Sequence, residues 1–451
     1  MQDYNDNKQN ANRQGTRRPV SRQGQLAQGQ RRRPANGQPA QGQRRRPANG
    51  QPAQGQKRRP INGQGHPSDG QRRPRPNAAS RTNNKKKAKK KSWKIVLFVV
   101  EILVICTLVG ACWVMSKANM IQHVKITDEE KKEELAIDET IAESEVLKGY
   151  RNIALFGVDS RQGKLDKSTL SDTIMIASIN LDTKEVKLVS VYRDTWLNLS
   201  NDSYNKANSA YSKGGYKQAM AMLNMNLDLD VEDFVTIGFD GLIDVIDAVG
   251  GIEIDVKQAE IQHINSYQIS MVGKPTGELN ANNEPNYYAE PYVEYTPVER
   301  AGLQKLNGLQ ATAYARVRYV GSDLERAQRQ RTVLTKVAQK AMTLNPATLN
   351  KIANAVFPKV MTSLELSEIL ELLKDIASYD IGETTGFPFD DYIKPNGRVG
   401  NASVVVPVDL EKNVTLLHQF MFGDEDYEPS ETVKKCSKKI ASDTGVSYSG
   451  E

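Results

Sequence analysis

Acidic side chains stand at the ends of two apolar segments of the chain. Asp159 directly follows residues 152–158 (NIALFGV), and Asp172 opens residues 173–179 (TIMIASI) after a 12-residue loop. The ends of adjacent strands lie at one edge of a sheet, so both carboxylates could bind one divalent ion together with substrate phosphate oxygens. Aspartate also caps turns frequently, so this pair alone does not establish a metal site.

Arginines with similar placement could bind phosphate. Arg193 ends the apolar segment VKLVSVYRD, and Arg316 and Arg318 would project to the same side of an extended chain. Arg326 and Gln330 are four residues apart and share one face of a predicted helix. Each feature is weak alone, because paired arginines most often lie on solvated helix faces. Together with Mg²⁺ they would stabilise the charge that develops when a pyrophosphate diester is cleaved.

Other common active-site patterns are missing from the sequence. The four histidines are widely separated, which argues against a histidine-based triad or a zinc cluster: His66, His123, His263 and His418. No G-x-x-x-x-G-K-[ST], G-x-S-x-G or H-E-x-x-H string occurs. Two of the three cysteines lie in one apolar segment, so the folded core cannot depend on disulfides: Cys106, Cys112 and Cys436.

Charge divides the 451 residues into two parts. Residues 1–94 hold 25 Lys and Arg against 3 Asp and Glu, whereas the remaining residues carry a net charge of −15. The first part repeats the string GQRRRPANGQPAQ from Gly29 and from Gly42. This composition predicts a disordered basic cytoplasmic arm over residues 1–94. Such an arm could bind anionic lipid headgroups or nucleic acid, or it could only fix the membrane topology.

A membrane-spanning helix is predicted over residues 95–115 (IVLFVVEILVICTLVGACWVM). As a helix this segment would rise roughly 31 Å, about one hydrocarbon thickness. The string KKKAKKK lies before it and an acidic run begins at Asp128 after it, so the positive-inside rule places the N-terminus in the cytoplasm. We therefore expect a single-pass type II cell-membrane protein with an extracellular folded domain. The long basic leader disfavours the alternative, a lipoprotein signal cleaved before Cys112.

Alternating apolar and helical segments predict the rest of the organisation, with an α/β fold. We expect a helical stem over residues 116–150, a catalytic domain over 151–342, a helical and β extension over 343–424, and a disordered tail over 425–451. One sheet is predicted from five strands: residues 152–158, 173–179, 186–191, 234–238 and 252–256. Helices are predicted over residues 214–227, 241–249, 306–315, 323–342, 346–357 and 364–378, and a long excursion from the sheet over 265–298.

Seven segments resemble the LytR-CpsA-Psr family in sequence and in order: NIALFGVDSR, SDTIMIASIN, SVYRDTWL, KANSAYSKGG, FVTIGFDGLIDVIDAVGGIEIDV, LNGLQATAYARVR and DLERAQRQR. The resemblance runs from about residue 152 to residue 340. It implies a central β-sheet flanked by helices, preceded by one transmembrane helix. It also implies that Asp159 and Asp172 coordinate Mg²⁺ or Mn²⁺. Six side chains would bind pyrophosphate: Arg193, Lys206, Arg316, Arg318, Arg326 and Gln330. Of these, Arg193, Arg316 and Arg318 would be catalytic.

The function that this resemblance implies is phosphotransfer outside the membrane. A polyisoprenyl-pyrophosphate-linked glycopolymer, such as teichoic acid, capsule or another wall polysaccharide, would pass to peptidoglycan, and polyisoprenyl phosphate would be released. The sequence departs from the family at Tyr192, where proline is common, and at Leu324, where an aromatic residue is usual. Two alternatives remain: a lipid-pyrophosphate hydrolase or a non-catalytic glycan carrier that uses the same pocket, and a membrane-anchored transcriptional regulator. The acidic folded part and the lack of aromatic residues interleaved with the basic ones in the arm argue against nucleic acid as a partner.

Overall fold

A computed structural model describes residues 85–160, 165, 169–279, 285–288, 295–318 and 320–447 of the chain. The chain divides into two units, Met1–Thr82 and Asn83–Glu451, and every described residue belongs to the second. The repeats of the predicted basic arm therefore lie outside the described residues. Residues 85–94, which we expected to be disordered, instead form the beginning of a helix.

The described residues form twelve α-helices and fifteen strands. The helices are α1 (Lys85–Ala118), α2 (Asp128–Glu134), α3 (Glu139–Ala142), α4 (Asn208–Leu227), α5 (Phe239–Ala248), α6 (Ile261–Val272), α7 (Gly308–Arg316), α8 (Asp323–Ala341), α9 (Pro346–Val356), α10 (Leu366–Lys374), α11 (Leu410–Phe422) and α12 (Glu431–Thr444). The strands are β1 (Gln122–His123), β2 (Tyr150–Val158), β3 (Ser171–Asn180), β4 (Glu185–Val191), β5 (Trp196–Asn198), β6 (Tyr204–Lys206), β7 (Asp233–Gly238), β8 (Ile252–Val256), β9 (Lys274–Leu279), β10 (Pro285–Tyr288), β11 (Gly302–Leu306), β12 (Val360–Thr362), β13 (Asp380–Phe387), β14 (Ile393–Val399) and β15 (Ala402–Pro407).

Helix α1 contains the predicted membrane span. Within the described part of the chain, its segment Val100–Ala118 is long and apolar enough to cross a membrane by length and composition. Large apolar side chains on this segment, such as Leu103 and Val109, are exposed rather than packed into the folded domain. Exposure of this kind suits a helix whose solvent is lipid, which supports the prediction of a membrane anchor.

A seven-stranded mixed sheet has the order β1-β12-β7-β2-β3-β4-β13. Strand β2 is parallel to β7 and antiparallel to β3, while β4 is antiparallel to β3 and parallel to β13. The ends of β2, β4, β7 and β13 and the beginning of β3 therefore meet at one edge of the sheet. The predicted extension over residues 343–424 completes this sheet, because it supplies β12 and β13.

The main core lies between one face of this sheet and helices α4, α11 and α12. Phe156, Ile176 and Val189 from three neighbouring strands are buried there with Met220 and Leu223 of α4. The apolar runs of these strands explain their central places, because a strand covered on both faces needs few polar residues. The opposite face packs on α10 through a smaller cluster that includes Ile153, Ile179 and Leu364.

Strand β8 was predicted correctly in position but not in pairing. It forms a separate two-stranded sheet with β11 and does not join the main sheet. Its sequence, IEIDV, buries Ile252, Ile254 and Val256 and exposes Glu253 and Asp255. This alternation is typical of a strand with one wet face. Helix α7 likewise begins at Gly308 and not at the predicted residue 306, because Leu306 belongs to β11.

Residues 116–150 do not form the helical stem that we predicted. The segment contains β1, the short helices α2 and α3, and a 3-10 turn, Leu147–Gly149. Its apolar residues Leu135, Ile141 and Leu147 are buried in the main core. Burial of these three side chains makes the segment part of the folded domain.

The predicted disordered tail, residues 425–451, is also wrong over most of its described part. Ser430 caps α12, and Val433, Cys436 and Ile440 of this helix are buried in the main core. Their spacing of three and four residues gives one apolar stripe on an otherwise charged helix. Residues 448–451 lie outside the described residues.

Candidate active site

The two predicted acidic residues lie at the same edge of the main sheet. Asp159 follows the last residue of β2, and Asp172 is the second residue of β3. Because these strands are antiparallel neighbours with Val158 opposite Ser171, the end of one meets the beginning of the other. The Asp172 side chain is 17% exposed and that of Asp159 is 43% exposed, so Asp172 is the more enclosed of the two.

Arg193 follows β4, which lies beside β3, and its Nη1 donates a hydrogen bond to Oδ1 of Asp172. Its Nε donates to Oδ1 of Asp194 over 3.3 Å. The other oxygen of Asp194 is 3.2 Å from Nζ of Lys206 at the end of β6. Asp194 thus bridges the two predicted phosphate ligands Arg193 and Lys206. The backbone of Arg193 is fixed as well, since its carbonyl accepts a hydrogen bond from the amide of Asn208 at the start of α4.

Arg316 and Arg318 each lie near one of the two predicted carboxylates. Nη2 of Arg316 is 3.9 Å from Oδ2 of Asp159, and Nη2 of Arg318 is 3.9 Å from Oδ1 of Asp172. The local backbone differs from our prediction, because Arg316 is the last residue of α7 and only Val317, with φ −56° and ψ 122°, turns away from the helix. This turn, and not an extended segment, brings both guanidinium groups to the sheet edge.

Arg326 lies in the first turn of α8 and is 4% exposed. Burial lowers the pKa of its guanidinium; Arg318 and Arg193 lower that pKa further, whereas Asp323 and Asp172 raise it. These neighbours place Arg326 with the residues already described. Its Nη2 is 3.4 Å from Oδ1 of Asp323, and its buried Nε has no hydrogen-bond partner within the described part of the chain.

Gln330 follows Arg326 by one turn of α8 and is half-buried. Within the described residues it makes no hydrogen bond to the other predicted site residues. Direct contacts therefore join Asp172 with Arg193 and Arg318, and Asp159 with Arg316. Asp194 links Arg193 to Lys206, Arg326 senses the charges of Arg193, Arg318 and Asp172, and Gln330 lies one turn further along α8.

A cavity of about 100 Å³ lies beside Arg316. Its walls are mainly apolar: Ser160, Phe239, Asp240, Ile243 and Met271 line it with Arg316. The guanidinium carbon of Arg316 is 4.2 Å from the centre of the Phe239 ring and 5.5 Å from that of Tyr267, so two aromatic faces orient this cation. The cavity thus places apolar surface next to the charged site.

Sequence reasoning did not single out Phe239 or Asp240. Both directly follow β7, as Asp159 follows β2, and β7 is parallel to β2. The rule that identified Asp159, an acidic residue just after a strand, would therefore have found Asp240 if it had been applied to every strand of the sheet. Tyr267 belongs to the predicted excursion over residues 265–298, and its contact with Arg316 places the start of that excursion beside the site.

The carboxylates could supply two ligands to a metal ion. Among the described residues there is no group of three or more His, Cys, Asp or Glu side chains that could hold one. Mg²⁺ is commonly bound by one or two carboxylates, with substrate phosphate and water completing its coordination. Asp159 and Asp172, two carboxylates at neighbouring strand ends, are consistent with this coordination preference.

The chain resembles known proteins along much of its length. The LytR_cpsA_psr family model matches residues 112–403. Biofilm regulatory protein A of Streptococcus mutans is 31% identical over 257 residues, which cover 52% of this chain and 57% of that protein. The polyisoprenyl-teichoic acid–peptidoglycan teichoic acid transferase TagU of Enterococcus faecalis is 28% identical over 231 residues, covering 50% of this chain and 66% of that protein.

A third relative is matched over more of its length. The polyisoprenyl-teichoic acid–peptidoglycan teichoic acid transferase TagT of Bacillus subtilis is 26% identical over 318 residues, covering 68% of this chain and 89% of that protein. The chain spans less than two thirds of the length of the S. mutans and E. faecalis relatives. The family model, in contrast, matches well over half of the chain and includes every predicted site residue, so the protein belongs to the LytR_cpsA_psr family.

Proposed function

We propose that this protein transfers a polyisoprenyl-pyrophosphate-linked glycopolymer to peptidoglycan and releases polyisoprenyl phosphate. The observation that carries the proposal is the meeting of Asp172 with Arg193 and Arg318, beside the buried Arg326, at one edge of the main sheet. These residues come from four separate segments, so their meeting is a property of the fold. The names of the teichoic acid transferases among the relatives support the same reaction class.

The proposed substrate contacts follow from the charges. Arg193, Arg316 and Arg318 would donate hydrogen bonds to the pyrophosphate, with Lys206 and Gln330 completing the site. Arg316 and Arg318 each lie 3.9 Å from a carboxylate oxygen, which exceeds hydrogen-bond distance, so these two ion pairs are looser than the hydrogen bond between Arg193 and Asp172. Arg326 contributes a buried positive charge, which acts strongly because little water screens it.

The reaction balances as a single displacement at phosphorus. A peptidoglycan hydroxyl oxygen forms a bond to the phosphorus that carries the glycan, and the proton of that hydroxyl passes to water. The bridging bond from this phosphorus to the lipid-side oxygen breaks, and polyisoprenyl phosphate leaves with the electron pair. Arginine donors aimed at the leaving phosphate would stabilise its increasing charge, at about 2.7–4 kcal/mol for one well-placed donor.

We further propose that Asp159 and Asp172 hold Mg²⁺ or Mn²⁺ when the donor binds. The ion would neutralise phosphate charge and polarise the phosphorus–oxygen bonds. The hydrogen bond from Arg193 orients the Asp172 carboxylate at the sheet edge, and Arg193 is itself held by Asp194. Asp194 therefore acts in this proposal as a positioning residue for Arg193 and Lys206.

The proposed location is the outer face of the cell membrane. Helix α1 would anchor the chain as a single-pass type II protein, with the basic residues 85–94 in the cytoplasm and the catalytic domain outside. The donor's lipid chain would stay associated with membrane lipid while its pyrophosphate enters the site. The apolar cavity beside Arg316 could receive the first part of that chain.

Reconstitution of the full-length protein in liposomes tests this function. A lipid-pyrophosphate-linked glycan and Mg²⁺ are supplied with or without peptidoglycan fragments, and the products are identified by mass spectrometry. A phosphodiester-linked glycan–peptidoglycan product together with polyisoprenyl phosphate would support the proposal. Equal donor cleavage without peptidoglycan would instead indicate a hydrolase. An intact donor, combined with sequence-selective binding of DNA, would favour the regulator alternative.

A further inference from the structure

Arg329 is a buried arginine of α8 that does not face the predicted pyrophosphate site. It follows Arg326 by three residues, and its side chain is 6% exposed. Nη1 of Arg329 donates to Oε1 of Glu260 over 3.2 Å. Glu260 is itself 2% exposed at its side chain, so this is an ion pair removed from water. The cost of removing two charges from water offsets most of their attraction, so such a pair adds little net stability. Stability alone therefore does not explain why this ion pair is present.

The second branch of the same guanidinium contacts the backbone between α7 and α8. Nη2 of Arg329 donates to the carbonyl oxygen of Val317 over 2.7 Å and to that of Val320 over 3.0 Å. Val317 stands between Arg316 and Arg318, and Val320 follows two residues after Arg318. The two bonds therefore bracket the backbone of Arg318 and fix the turn that carries both arginines.

The carboxylate of Glu260 anchors this arrangement to another part of the fold. Its Oε1 accepts from Arg329, and its Oε2 accepts from the backbone amide of Lys257 over 2.9 Å. Lys257 directly follows β8, whose partner β11 leads into α7. Glu260 and Arg329 thus link the β8–β11 ribbon, the turn after α7 and helix α8.

We propose that Arg329, held by Glu260, is a positioning residue that sets Arg316 and Arg318 for phosphate binding. A planar guanidinium can donate to one carboxylate and two carbonyls at once, whereas the single ammonium of lysine cannot match that fork. Small displacements of reacting groups have large kinetic effects, so a loosened turn would lower turnover without removing any group that touches substrate. The expected loss of turnover rests on the proposed transfer function, whereas the expected loosening of the turn after α7 does not.

The test compares Arg329→Lys with Arg331→Lys in the full-length protein. Arg331 is a matched control because it is a buried arginine, 9% exposed, on the same helix. Its side chain interacts with the hydroxyl group of Tyr192 and not with the turn after α7. Hydrogen exchange of peptides covering residues 316–322 reports the turn directly. We expect exchange there to be about tenfold faster in Arg329→Lys, and unchanged in Arg331→Lys.

Kinetics separate positioning from stability. Arg329→Lys should lower kcat for transfer by about tenfold while the donor KM changes by less than about threefold. Should Arg329→Lys fail to fold, Glu260→Gln replaces it, because it retains Arg329 and weakens only its anchor; a smaller change in the same direction is expected. Exchange in residues 316–322 that stays at the wild-type rate, or that rises equally throughout the protein, would overturn the proposal. If the wild-type protein itself transfers nothing, the proposed function fails, and the exchange comparison still decides the role of Arg329.

Discussion

Replacing Arg318 by alanine removes one of the two guanidinium groups that face Asp172. The Arg318 side chain is 40% exposed, and its Nη2 is 3.9 Å from Oδ1 of Asp172, an oxygen that also accepts from Arg193. An ion pair with this exposure and separation contributes at most about 1 kcal/mol to folding. Asp172 keeps its hydrogen bond to Arg193 in the variant. We therefore expect the free energy of unfolding to decrease by less than about 1 kcal/mol.

The effect of the same substitution on transfer should be much larger. Removing one preorganised donor to a developing charge costs about a hundredfold or more in rate, which corresponds to about 2.7 kcal/mol. The assay is kcat/KM for glycan transfer by the full-length protein, with urea unfolding measured in parallel. Arg300→Ala is the matched control, because Arg300 is an exposed arginine outside the cluster. Transfer by a folded Arg318→Ala protein within about threefold of wild type, or an equal loss in the control, would refute the assigned role.

Three further perturbations test other parts of the structure. Asp172→Asn removes a proposed metal ligand and should raise the Mg²⁺ concentration for half-maximal transfer by about tenfold; an unaltered Mg²⁺ titration would contradict that role. Burial lowers the pKa of His418 from 6.5 to about 4, so its contribution to stability is complete above pH 6.5 and is lost as the pH falls toward 4. His418→Phe should therefore reduce the pH dependence of the unfolding free energy across that window by up to about 3 kcal/mol, and equal slopes in both proteins would argue against it. Truncation before residue 428 removes α12 with its three buried side chains and should lower the thermal midpoint markedly, whereas a protein lacking only residues 448–451 should melt like wild type; similar midpoints would show that α12 is dispensable.

The sequence was most informative where local pattern and tertiary role agree. The apolar runs of β2, β3, β4 and β7 correctly predicted buried central strands, and the acids at the end of β2 and the beginning of β3 correctly predicted a shared sheet edge. Strand β8 misled because apolar residues alone do not specify a partner. Its alternating Glu253 and Asp255 do indicate one wet face, and that signal distinguishes it from the four central strands.

Segments with a few apolar residues among many charges were predicted least well. Residues 116–150 and α12 each pack on the core through a few buried side chains. The charged residues around these side chains resemble those of solvated helices and tails. Helical spacing likewise placed Arg326 and Gln330 one turn apart on a helix, which is α8. Spacing could not show that Arg329 reaches back to Val317 and Glu260, because those contacts join residues 12 and 69 positions apart.

In the proposed function, acids and arginines from separate segments form one receptor for a lipid-linked pyrophosphate. Calorimetric titration of the full-length protein in detergent with geranyl pyrophosphate and geranyl monophosphate, each with Mg²⁺, tests it most directly. We expect the pyrophosphate to bind at least about tenfold more tightly than the monophosphate, and we expect Arg193→Ala combined with Arg318→Ala to abolish this difference. Equal affinity for the two ligands, or a preference that survives loss of both arginines, would contradict it.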